Sequence, residues 1–183
     1  MPEDTILINR APVLTLWAAV VAERLGFTWA EALSLGKAVA GLNAQTKGRA
    51  LGIFQPRPEK VKEAREQTRG EEFWVEICGR PVPAKNTADG VRAVSGDTPI
   101  EPTSVQRYLI GKFGDDLNLA REVMEALAAA LDPQSLATRA FSLYERFRPE
   151  IPRGKRGWGA KGILDLGLIR SLASKDQECE PGH

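Results

Sequence analysis

Asn9-Arg10-Ala11-Pro12-Val13-Leu14-Thr15-Leu16-Trp17-Ala18-Ala19-Val20-Val21-Ala22-Glu23-Arg24-Leu25-Gly26-Phe27-Thr28-Trp29-Ala30-Glu31 is the stretch that decides the fold class. Its first part predicts a helix over about Arg10 to Leu25. Asn9 is a residue type that caps helix starts, and Pro12 falls in the first turn, where a missing N–H costs little. Leu14, Trp17, Ala18, Val21 and Leu25 recur at helical spacing and predict one apolar face. Gly26 supplies the left-handed position that ends a helix. Thr28-Trp29-Ala30-Glu31 then spells a capping box, so a second helix begins at once. The tight link Gly26-Phe27 makes the two helices neighbours.

The second helix is predicted to run to about Lys47, with Gly48 to end it. Leu35, Val39 and Leu42 form its apolar stripe, and Ala32, Gly36, Ala40 and Ala44 a small-residue row beside it. Glycine inside a helix costs about 1 kcal/mol relative to alanine. Gly36 and Gly41 are therefore expected where helices approach closely. The same small-residue face could pack on a second copy of the chain, so a homodimer is one expected assembly.

Beyond this pair, the charged segment from Gln55 to Gly70 alternates in sign and predicts a solvated helix or linker. Glu72 to Cys78 is aromatic and β-branched and predicts a strand, with a turn at Gly79 and a partner over Arg80 to Lys85. Asn86 to Thr103 is rich in Gly, Pro, Asp and Thr and predicts a long loop. Helices are expected from Thr103 or Ser104 to Phe113, from Asp115 or Asp116 to Leu131, and from the Asp132-Pro133 cap to about Phe147. A last short helix is expected over Ile163 to Leu172, and the tail from Ser174 is expected to be disordered.

The fold class expected is mainly α (α+β), a multi-helix globular domain with one small central β-hairpin. Its parts are an N-terminal helical hairpin (1–54), a segment of charged linker, hairpin and long loop (55–101), a C-terminal helical region (102–173) and the tail (174–183), all in one compact domain. Trp17, Trp29, Phe141 and Phe147 are the expected core aromatics.

The 183 residues are 43% hydrophobic and 27% charged, ordinary values for a chain that folds around its own core. The net charge is +1, so any polyanion site must be a local patch. The acidic start Met1-Pro2-Glu3-Asp4 lacks a signal-peptide pattern. The apolar run from Ala11 to Ala22 is too short for a bilayer, which needs about 20 residues. A cytoplasmic location without membrane contact is expected. Two separated cysteines, Cys78 and Cys179, provide neither a disulfide framework nor a Cys-x-x-Cys zinc half-site.

Histidine is represented by His183 alone. Catalytic chemistry that needs a Ser-His-Asp triad, a Cys-His pair or several histidine ligands is therefore not expected. Gly157-Trp158-Gly159-Ala160-Lys161-Gly162 matches G-x-G-x-x-G by letter, but prolines and basic residues precede it where a dinucleotide site needs a strand. No phosphate-binding P-loop motif occurs. Asp115 with Asp116, and Glu71 with Glu72, are carboxylate pairs capable of acid–base work, but carboxylates at helix starts ordinarily answer the helix dipole. No cofactor, metal or enzymatic activity is expected.

The strongest pattern is basic. Arg139, Arg146, Arg148, Arg153, Lys155, Arg156 and Lys161 fall within one segment against Glu145 and Glu150, with Tyr144, Phe147 and Trp158 interleaved. Cations neutralise phosphates and exposed aromatics stack on bases. The leading expectation is a non-enzymatic DNA- or RNA-binding protein that uses Arg146, Arg148, Arg153, Lys155, Arg156, Trp158 and Lys161, helped by Lys47 and Arg49. The competing reading makes Tyr144 and Phe147 core residues and the arginines a solvated face. A helical protein-interaction or regulatory module is the alternative. A carboxylate- and arginine-based enzyme on a phosphorylated small molecule is a third.

The run from Val20 to Leu33 also loosely resembles a helix-turn-helix: helix, glycine, capped helix. That resemblance covers under a fifth of the chain and implies DNA contact by the second helix. The second helix departs from the pattern by opening Trp29-Ala30-Glu31-Ala32-Leu33, where base-reading side chains normally lie. A plain helical hairpin inside the core is the competing reading.

Overall fold

A computed structural model describes residues 5–50, 72–78, 80–88, 90–95, 98–149 and 161–178. Within them, β1 (Thr5–Asn9) leads into α1 (Arg10–Arg24) and α2 (Trp29–Ala50). Four strands follow, β2 (Glu72–Ile77), β3 (Arg80–Thr87), β4 (Gly90–Ser95) and β5 (Thr98–Pro99). Then come α3 (Pro102–Phe113), α4 (Leu117–Ala129), α5 (Pro133–Phe147), β6 (Lys161–Asp165) and α6 (Leu166–Glu178). The mainly α class with a β component matches the expectation. The sheet content exceeds it: a four-stranded antiparallel sheet ordered β2-β3-β4-β5 replaces the single hairpin, and β1 pairs with β6 in a separate two-stranded ribbon.

Helix α1 is the hub. Every residue from Pro12 to Ala22 is buried, so the helix has no solvent face where one apolar stripe was expected. Its small residues, Ala18, Ala19 and Ala22, let neighbours close in from all sides, and α2, α3, α4 and α5 all pack on it. Trp17 anchors the centre. Its indole N–H donates to the Ala140 carbonyl at 2.9 Å, and its ring meets Phe147 edge-on at 5.3 Å. Arg24 ends the helix and reaches the carbonyls of Ala128 and Leu131, at 3.4 and 3.0 Å, closing α4's C-terminus. Helices leave such carbonyls without intrahelical donors.

The capping box forms as read. Glu31 N–H donates to Thr28 Oγ1 at 3.2 Å, and Thr28 N–H donates to Glu31 Oε1 at 2.9 Å. Gly36 is the close approach: a Cβ there would collide with the Thr15 carbonyl oxygen and sit 3.0 Å from the Ala19 nitrogen. At Gly36 the small-residue face of α2 is thus packed against α1. Gly41 has no atom within 4 Å of a Cβ position, so the close-packing role expected for it does not hold. Trp17 and Phe147 are fully buried as expected, whereas Trp29 and Phe141 are only partly so.

Strands β2 and β3 pair antiparallel with Ile77 opposite Arg80, and Cys78 follows β2 at φ +52°. Pro81 and Pro83 occupy the part of β3 that β4 does not reach, since β4 pairs with Ala84 to Thr87 only. Prolines are tolerated there because no ladder hydrogen bond is lost. The expected long loop Asn86–Thr103 is mostly strand. Here α2 supplies what the sheet edge lacks. Glu31 Oε2 accepts the Val91 N–H at 2.8 Å, and Ser34 Oγ accepts the Ala93 N–H at 3.1 Å. Gly90, at φ +113°, passes so close to Glu31 that a Cβ would lie 2.8 Å from Oε2.

The helix expected over Ile163–Leu172 divides instead into β6 and α6. Lys161 to Asp165 pair with Asn9 to Thr5, and Asp165 Oδ1 accepts the Leu168 N–H at 3.2 Å where α6 begins. The segment Gln55–Gly70 and residues 179–183 lie outside the described residues. No helix among the described residues is long and apolar enough to cross a membrane.

Candidate functional site

Helix α5 is built to show one charged face. Asp132 Oδ1 accepts the Ser135 N–H at 2.8 Å and Pro133 follows at the first helical position, fixing the start. Leu136, Ala140, Leu143, Tyr144 and Phe147 then point into the core. The spacing that buries them leaves Ser142, Glu145 and Arg146 exposed and Arg139 half-buried. Arg148 ends the helix in an extended conformation, its N–H donating to the Tyr144 carbonyl at 2.7 Å.

Two further arginines arrive from elsewhere in the chain. Arg10, the first residue of α1, donates through Nε to the Pro149 carbonyl at 2.8 Å. This bond ties the start of α1 to the end of α5, beside a long Tyr144 hydroxyl contact to the Arg10 carbonyl at 3.5 Å. Arg80, from β3, lies with its guanidinium carbon 5.1 Å from the Phe141 ring centre. Phe141 and Tyr144 are themselves 5.7 Å apart. Arg10, Arg80 and Arg148 therefore gather around one end of α5 from three separate elements. Burial pushes the Tyr144 hydroxyl up to about 12, and the positive fields of Arg148 and Arg10 oppose that rise. Burial likewise pushes the Cys78 thiol up to about 12, with Arg80 opposing. Such a thiol is not a nucleophile.

Of the residues singled out from sequence, Arg146 is exposed on α5 and Arg148 half-buried at its end. Lys161 is exposed at the start of β6, opposite Asn9. Arg153, Lys155, Arg156 and Trp158 lie outside the described residues. Lys47 and Arg49 fall in α2, with their side chains outside the described set. Tyr144 and Phe147 are core residues, 1% exposed each, so neither is available for base stacking. Arg10 and Arg80 were missed. Each reaches the cluster through long-range packing, for which a local sequence pattern gives no signal.

A second polar cluster joins four helices. Arg121 of α4 stacks 3.7 Å from the Trp29 ring centre, pairs with Glu125 at 3.1 Å and reaches Glu23 at 3.7 Å. The Trp29 indole N–H donates to Gln106 Oε1 of α3 at 3.4 Å. Burial raises the Glu23 carboxyl above its ordinary range, and Arg121 pulls it back. Each group here is answered by another, and the cluster works as a strap across α1, α2, α3 and α4. The opening turn of α2 is engaged in this strap and in the Val91 contact. The helical hairpin is a core element.

Among the described residues no group of three or more His, Cys, Asp and Glu side chains is arranged to hold a metal ion. The chain matches no protein-family model, and comparison with curated proteins and with solved structures finds no significant match.

Proposed function

We propose that this chain is a non-enzymatic, cytoplasmic nucleic-acid-binding protein that grips phosphates through the arginine-rich end of α5. The observation that carries the reading is the gathering of Arg10, Arg80 and Arg148 on the helix that also bears the half-buried Arg139 and the exposed Arg146. Arginine forks match phosphate oxygens, and a polyanion engages several at once. The basic run Arg153, Lys155, Arg156 continues directly from this end in sequence. With Tyr144 and Phe147 in the core, binding is dominated by phosphate contacts and base specificity is weak.

The test is fluorescence anisotropy with duplex DNA, single-stranded DNA and RNA across a salt series. Binding is expected to fall steeply with salt. In the double variant Arg139→Ala/Arg146→Ala, the slope of log K against log salt should shrink by about 2, one unit per phosphate contact. Arg146 is exposed and Arg139 half-buried, so thermal melts of the variant accompany the binding series. Absence of binding by the wild-type protein at low salt sinks the proposal.

A protein-interaction module is the second reading, favoured by apolar side chains at the surface: Leu7, Ile163 and Trp74 are each more than half exposed.

A further inference from the structure

The β1–β6 ribbon is apolar on its inner face and at the centre of its outer one. One face carries Ile6, Ile8 and Leu164 into the core. The other holds Leu7 and Ile163 directly opposite each other, 64% and 56% exposed. Strand alternation puts Lys161 and Asp165 on that same outward face, two residues to either side of Ile163, and both are exposed. The face thus has an apolar centre, a cation at one end and an anion at the other.

We propose that two copies of this chain meet here, ribbon against ribbon, about a two-fold axis running across the strands. That axis sets Ile163 against the partner's Ile163 and Leu7 against the partner's Leu7. It also reverses the strand direction, so Lys161 faces the partner's Asp165, and the symmetry makes this contact twice. An axis along the strands sets Lys161 against the partner's Asn9 and leaves the four charges unanswered. The charge arrangement therefore selects the occupant and the register together: opposite charges equally spaced about an apolar centre are complementary to a copy of themselves. Asp165 Oδ1 already accepts the Leu168 N–H, and a carboxylate keeps further lone pairs for a lysine. The contact is small beside the roughly 800 Å² per partner of standard interfaces, so the dimer is weak and forms only at high concentration. This surface is separate from the small-residue row of α2, and the proposal does not depend on nucleic-acid binding.

Sedimentation equilibrium of the full chain over a concentration series tests it. The wild-type protein should show a reversible monomer–dimer equilibrium. Ile163→Ser and Leu7→Ser should each weaken the dimer by about tenfold or more, since each removes a central apolar contact. Lys161→Asp should weaken it comparably by placing like charges together. The double variant Lys161→Asp/Asp165→Lys restores opposite charges and should recover most of the loss. Asp165→Lys also removes a helix cap, so thermal melts accompany every variant. Lys161→Asp leaves that cap intact and is decisive alone. A wild-type chain that stays monomeric to about 1 mM, a range that covers weak association, overturns the proposal and leaves the face to a different protein. A dimer indifferent to Ile163→Ser or to Lys161→Asp overturns it as well.

Discussion

Glu31 Oε2 accepts the backbone N–H of Val91 at 2.8 Å, joining the first turn of α2 to β4 across 60 residues of chain. The other oxygen of the same carboxylate closes the capping box on Thr28. One side chain therefore starts a helix and seals a strand. Glu31→Ala should cost about 1–3 kcal/mol, from a lost cap and an orphaned strand donor. Asp132→Ala, which removes a cap alone, should cost less. Urea denaturation of both variants checks this. Equal losses would mean that the Val91 contact adds nothing.

Acid titration should separate Glu31 from Glu23. The Val91 N–H, then the Thr28 N–H, hold the Glu31 carboxyl below its ordinary range. A depressed folded pKa contributes stability above the ordinary carboxylate value of about 4.3 and loses it as pH falls through the lower folded value. Glu31→Gln should therefore flatten the acid limb of the stability profile. Glu23 is shifted the other way by burial. Its contribution is present at low pH and is lost as pH rises through the raised value. Glu23→Gln at pH 7 should be neutral or stabilising despite losing Arg121. A marked destabilisation would show that the ion pair outweighs burial.

Gly36 and Gly41 share a helix and should respond oppositely to alanine. At Gly36 the new methyl meets the Thr15 carbonyl and the α1 backbone, which cannot yield as a flexible side chain would. Overpacking of this kind costs about 1–3 kcal/mol. At Gly41 the methyl enters open space, and helix propensity alone should stabilise by up to about 1 kcal/mol. Thermal melts of the two single variants decide the matter, and a destabilised Gly41→Ala would contradict the packing described.

Cys78 should be inert in the folded protein. It is 2% exposed and its thiol is pushed up to about 12. In a Cys179→Ser background, thiol labelling at pH 8 should run on the order of a thousandfold slower than for the unfolded chain. It should accelerate with urea as opening begins. Prompt labelling under native conditions would place Cys78 at the surface.

The local signals in the sequence were the reliable ones. Thr28 with Glu31, Asp132 with Pro133, and the strand before Gly79 each specify a conformation within four or five residues, and each forms. What the sequence concealed depends on distant partners. The ring of neighbours around α1 is invisible from its own periodicity, because alanines and valines fit a stripe or a full circumference equally well. Gly90 and its flanks suggest a loop until Glu31 and Ser34 arrive to complete the β4 edge. Lys161 to Asp165 become a strand only because Thr5 to Asn9 lie alongside. The basic character of α5 was plain, but Arg10 and Arg80 join it through tertiary packing.

The pairing of Thr5 with Asp165 carries a consequence for synthesis. Strand β1 emerges from the ribosome early, and its partner emerges only after every helix from α1 to α5. Closing so long a loop is entropically slow, and non-local pairing comes late in folding. Throughout that interval the apolar Ile6, Leu7 and Ile8 lack the strand they pair with in the folded chain. Nascent chains stalled before residue 165 should therefore be bound by hydrophobic-segment chaperones at their first strand, and released once β6 arrives.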